Sequence, residues 1–158
     1  MTIDDLKTLM DEFDPAALLP ELDSIVGRVE LAMRIAILVG PIILLVMALL
    51  YIIASPKEAN YHFGYRCYFG MGSVNAWRFS QRIAGMVWGL LGLGLTVVML
   101  LKSGSFPDME VMDMVLAAVR CLLWEAGLIL VSCLVINTIV ALCYDGRGER
   151  RKKKDRAK

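Results

Sequence analysis

The chain has 158 residues, 58% of them hydrophobic, with a mean hydropathy of +0.61 and a formal net charge of +1. That length fits one domain, and the apolar share is too high for an ordinary soluble one. The small net charge hides a segregation: residues 1–30 hold eight acids against two bases, residues 145–158 hold eight bases against three acids, and the middle is mostly apolar.

Residues 1–34 form an acidic segment in which Leu18, Leu22, Ile25, Val29 and Met33 recur at helical spacing, with Asp5, Asp14 and Asp23 off that stripe. Pro15 and Pro20 divide it. The pattern predicts a short helix near residues 2–13 and a second that starts near Pro20 and runs into the first apolar run. That run, residues 35–54, has no charge, and neither do residues 83–101; residues 126–144 carry only Ser132, Asn137 and Thr138 as clearly polar members. About 20 apolar residues cross a ~30 Å hydrocarbon core as a helix. The first run begins too late and is too long for a secretory signal, and it follows an acidic segment, so an uncleaved anchor is expected. The expected fold is therefore all-α: an integral membrane protein with three transmembrane helices, an amphipathic N-terminal helical segment (1–34), a three-helix membrane domain (35–144) and a basic tail (145–158).

Between the first two runs lies NYHFGYRCYFGMGSVNAWRFSQRIAG, residues 60–85, with seven aromatic residues, three arginines and the single histidine of the chain. Gly64 permits a tight turn where a side chain would clash. Arg66 offers a planar fork suited to a carboxylate or lipid phosphate. Tyr61, Tyr65, Tyr68 and Trp77 suit the water–lipid boundary. Ser73 is a candidate cap for a helix beginning at Val74. A structured loop that ties the helix ends together is one reading of these residues, and a docking surface for a protein or lipid is the other. His62 with Asn60 and Glu58 is too small a donor set for a metal site, and no cofactor motif accompanies it.

The block Asn-x-x-x-Gly-Tyr-Arg at 60–66, a tryptophan eleven residues after the arginine, and Ser-Gln-Arg-x-x-Gly at 80–85 together resemble the signature of the SdpI family of bacterial membrane proteins. The matching residues are Asn60, Gly64, Tyr65, Arg66, Ser73, Trp77, Arg82 and Gly85, with Ser80 and Gln81 standing where Thr and Asn or His are usual. Cys67 replaces the family threonine, and Val74 and Asn75 replace the acids often found before the tryptophan. The resemblance covers roughly residues 35–144. It implies immunity to a secreted, membrane-active peptide toxin, or signalling in which a cytoplasmic transcriptional regulator is held at the membrane. It also makes Asn60, Gly64, Tyr65, Arg66, Ser73, Trp77, Gln81, Arg82 and Gly85 the expected partner- or lipid-binding set. Family members usually have extra N-terminal helices, in whose place this chain has its acidic segment.

In the second run, Gly85 and Gly89 are four apart with Gly92 near the same face, which permits close approach of another helix. The third helix is predicted to begin before its apolar run. Extending from about 109 to 144, it exceeds a bilayer core, so Arg120 or Glu125 falls near or below the headgroups. Charges at that depth mark functional or paired sites. The four cysteines, Cys67, Cys121, Cys133 and Cys143, form no CxxC and read as packing residues rather than a disulfide framework.

With three spans, the 55–82 loop and the basic tail share one side. Lys and Arg accumulate on the cytoplasmic side of bacterial membranes, so the N-terminus is expected outside and the C-terminus inside. The tail lacks interleaved aromatics, and nucleic acid is not an expected partner. Membrane lipids are. The resemblance favours a non-enzymatic immunity or signalling protein. One alternative is an accessory subunit of a transporter, gripping a larger protein through Glu125 or the glycine face. The other is a small lipid-headgroup enzyme with a polar cavity beside Arg66.

Overall fold

The computed structural model describes residues 15–54, 59 and 63–151, with side chains described from residue 23 onward. Among the described residues there are three long helices: α1 (Pro15–Ile53), α2 (Val74–Ser103) and α3 (Val111–Cys143). Two links join them, each containing one 3₁₀ turn, at Gly70–Gly72 and Phe106–Asp108. The chain thus runs up, down and up. One end gathers the close of α1, the 63–73 loop, the start of α2 and the close of α3, and is called the motif end below. The far end holds the turn between α2 and α3. The expected helix at residues 2–13 lies outside the described residues.

All three helices contain stretches long and apolar enough to cross a membrane. Their outer surfaces are apolar. Leu90, Leu101, Leu130 and Leu142 are each at least two-thirds exposed, which in water would be an unstable, aggregation-prone surface.

One expectation needs correcting. α1 begins at Pro15 and passes through Pro20 without a break. Pro20 lies within the opening turns, where a missing N–H removes at most one intrahelical bond, and the helix is carried onward by good formers.

Packing follows the glycines. A methyl group at Gly85 would sit 2.7 Å from the Ile52 side chain and 3.1 Å from the Ala48 carbonyl, and one at Gly92 would sit 3.1 Å from Leu44 and Leu45. Gly89 faces Ala48. α1 therefore lies almost backbone-to-backbone against α2, the close approach that dispersion between membrane helices requires. Two cores result. The far-end core contains Ile37, Leu44, Leu95, Met99, Phe106, Met114 and Ala118. The motif-end core contains Tyr51, Tyr65, Cys67, Ala84, Ile136 and Val140. Between them, the Trp88 indole donates to the Ser132 hydroxyl at 3.1 Å and pins α2 to α3.

Candidate functional site

The 63–73 loop is held by a lock built from the sequence motif. Gly64 has φ +122°, a conformation open to glycine, and a Cβ there would lie 2.5 Å from the Trp77 ring. Trp77 is fully buried against it. One turn further along α2, the Gln81 amide pairs with both backbone groups of Tyr65. The Tyr65 N–H donates to Gln81 Oε1 at 2.7 Å, and Gln81 Nε2 donates to the Tyr65 carbonyl at 2.8 Å. Gln81 thus satisfies two backbone groups that would otherwise be buried and unpaired. The Tyr65 hydroxyl reaches α3, within 3.1 Å of both the Cys133 carbonyl and Asn137 Oδ1. Its ring meets Trp88 edge-on, with centroids 5.5 Å apart. Burial pushes the Tyr65 phenol and the Cys67 thiol above their ordinary pKa values.

A second element closes the site. Beyond α3, residues 144–151 fold back as a tight hairpin with an antiparallel bridge between Tyr144 and Arg150. Asp145 organises it: Oδ1 accepts from the N–H groups of Arg147 and Glu149 at 3.0 and 2.8 Å. The hairpin rests on the loop where glycine meets glycine. A Cβ on Gly72 would lie 2.5 Å from the Gly148 nitrogen, and Gly148 itself has φ +74°. Ser73 joins the two. Its hydroxyl accepts from Ala76 N–H at 3.2 Å, capping α2, and donates to the Gly148 carbonyl at 2.7 Å. The first part of the basic tail therefore has a fold of its own. The signal was present in Asp-Gly-Arg-Gly, a turn composition at 145–148.

Between the opening turns of α2 and this hairpin lies a groove of about 670 Å³. Arg78, Arg82 and Arg150 line it with Asn75 and Glu149, and Phe79 and Tyr144 form its apolar wall with ring centroids 5.3 Å apart. Arg78 and Arg82 are four residues apart on a helix and so share a face. Three guanidiniums around one polar groove suit a carboxylate or phosphate, which arginine binds bidentately.

The expected binding set therefore divides. Tyr65, Trp77, Gln81 and Gly85 are buried within the fold. Gly64 and Ser73 hold backbone geometry. Arg66 and Arg82 are exposed, and of these two Arg82 lines the groove. Asn60 and His62 lie outside the described residues. Asn75, Arg78, Tyr144, Glu149 and Arg150 were not singled out from sequence as binding residues, although the four-residue spacing of Arg78 and Arg82 was a usable signal.

Arg120 and Glu125, the two charges expected near or below the headgroups, also separate. Glu125 is 3% exposed and turned inward, so close to α1 that a Cβ on Gly40 would lie 2.6 Å from its Oε2. Arg120 is exposed on α3 and does not pair with it. Glu125 and the glycine face of α2 thus both face α1 inside the fold. The polar groove opens beside Arg78, Arg82 and Arg150, and Tyr65, Cys67 and Gly70 in the loop are buried. Among the described residues, no three His, Cys, Asp or Glu side chains converge on a point where a metal would sit.

Compared with protein-family models, curated proteins and solved structures, the chain finds no match.

Proposed function

We propose that this chain is a three-span integral membrane protein whose motif end faces the cytoplasm and docks an acidic segment of a partner protein. The observation that carries this reading is the arginine-lined groove. Its walls come from the opening turns of α2, ahead of the uncharged run at 83–101, and from the hairpin beyond α3, a placement that suits a water-borne polypeptide. Glu149 in the same wall favours a peptide, which offers N–H donors and carboxylates together, over a bare phosphate. The lock at Gly64, Trp77 and Gln81 ties the loop to the start of α2, and a groove wall held in place limits the entropy lost on binding.

The spanning reading is supported by three apolar helices and by apolar outer surfaces. The orientation is supported by the bases of the 55–82 loop and the tail on one side. The SdpI-like motif supplies the biological setting: immunity to a membrane-active peptide, or signalling through a cytoplasmic regulator.

Copurification from native membranes tests the docking. Wild type is compared with Arg78→Gln/Arg82→Gln, and bound proteins and lipids are identified by mass spectrometry. A cytoplasmic protein with an acidic segment, held by wild type and lost from the variant, is expected. An identical set of proteins in both would remove the docking role, and loss of phospholipid alone would reassign the groove to lipid. Cells lacking the protein are expected to be more sensitive to a membrane-active peptide, and unchanged sensitivity across a broad panel would count against the immunity setting.

A further inference from the structure

The far end carries a second, chemically different site. The end of α2, the 3₁₀ turn at Phe106–Asp108 and α3 enclose a cleft of about 420 Å³. Phe106 (2% exposed), Met109 and Cys121 give it apolar walls, and Lys102 and Arg120 stand in its lining with no acid among the residues that line it. Neither cationic side chain has a hydrogen bond or ion pair among the described residues. Trp124, 71% exposed, forms a ridge between this cleft and a shallower hollow of about 360 Å³ that runs past Leu123 to Gly127. At Gly127 a side chain would meet nothing within 4 Å, so that hollow is an open track along α3.

The depth of these cations follows from helix geometry. From Arg82 to Lys102, α2 rises about 30 Å at ~1.5 Å per residue, the thickness of a hydrocarbon core. From Arg120 to the end of α3 at Cys143 the rise is about 35 Å. Lys102 and Arg120 therefore stand together at the headgroup plane opposite the motif end, with an interfacial tryptophan beside them and an apolar track leading toward the bilayer centre.

We propose that this cleft binds an anionic phospholipid, its phosphate between Lys102 and Arg120 and one acyl chain on the track past Trp124 and Gly127. The absence of any acid in the lining selects an anionic over a zwitterionic headgroup, because the latter brings its own cation into a doubly positive mouth. The inference rests on the spanning reading and is independent of the groove at the motif end.

The test uses the full chain in lipid nanodiscs, with Trp124 emission taken as wild type minus Trp124→Phe. Phosphatidylglycerol or phosphatidylcholine with brominated acyl chains is titrated into each. Co-elution with the discs reports on membrane insertion separately from the site. Half-maximal quenching is expected at a several-fold lower mole fraction of the brominated phosphatidylglycerol, and Lys102→Gln/Arg120→Gln is expected to make the two curves coincide. Coincident curves for wild type would overturn the proposal, as would a preference that survives in the folded double variant.

Discussion

Replacing Gln81 by leucine probes the lock at the motif end. Leucine is close in volume and apolar, so packing around position 81 is nearly retained while both hydrogen bonds to Tyr65 vanish. The Tyr65 N–H and carbonyl, now paired at 2.7 and 2.8 Å beside a fully buried side chain, are left without those partners. Each buried backbone group stripped of its partner costs about 1–3 kcal/mol, so Gln81→Leu is expected to lose about 2–6 kcal/mol. That is a large part of a typical folding stability of about 5–15 kcal/mol. The neighbouring Arg82→Gln, at an exposed position, is expected to change stability by less than about 0.5 kcal/mol. Equilibrium unfolding in mixed micelles, followed by tryptophan emission, measures both, because Trp77 and Trp88 lie on either side of the lock. Limited proteolysis within residues 63–73 reports whether the loop is released. If Gln81→Leu unfolds within about 0.5 kcal/mol of wild type, the paired amide is not what holds the loop, and the lock as described here is wrong.

Other outcomes follow from the same geometry. Gly64→Ala forces a positive φ on alanine and drives a methyl into the Trp77 ring, so a loss of about 1–3 kcal/mol and a shifted Trp77 environment are expected in near-ultraviolet circular dichroism. Ser73→Ala removes the cap of α2 and the tie to Gly148. It is expected to cost about 1 kcal/mol and to expose the 144–151 hairpin to trypsin, and unchanged cleavage would show that the tie is dispensable. Gly92→Leu is expected to push α1 from α2, read as lost tryptophan protection and lower thermal stability, whereas Gly94→Leu, where nothing lies within 4 Å, is not. Burial holds the Cys67 thiol protonated above its ordinary range of about 8.5. Maleimide is expected to modify it slowly at neutral pH and faster after denaturation. Because the folded pKa is the higher one, the stability linked to this thiol is present below the unfolded value and declines as pH climbs toward the folded value.

Much of the fold was legible because long apolar helices are written in composition. The uncharged runs at 35–54 and 83–101 both fall inside long helices, and α3 starts at Val111, within two residues of the start near 109 read from its spacing. The glycine face of α2 was legible as a place where a helix approaches, but its partner was not, since nothing in Gly85, Gly89 and Gly92 names α1. Ser73 as a cap was legible from local chemistry. The site was less so. Tyr65, Trp77 and Gln81 read as interfacial residues because aromatic and amide side chains suit that boundary, and their burial arises from contacts distant in sequence. The groove needed residues 144–150 to fold back onto Gly72, a contact across some seventy positions that a basic tail does not advertise. Glu125 was legible as unusual, but its inward direction against Gly40 depends on the register between α1 and α3.

The most direct test of the central claim is a binding titration at the groove. The protein is placed in nanodiscs of zwitterionic lipid, and a fluorescent oligo-glutamate peptide is titrated onto wild type and onto Arg78→Gln/Arg82→Gln. Two charge-assisted contacts at about 1.5 kcal/mol or more each correspond to roughly a hundredfold in affinity. Saturable binding is expected, weakened about a hundredfold in the variant and reduced by added salt. Equal binding to both proteins, or no saturable binding to wild type, would contradict a docking groove at Arg78 and Arg82.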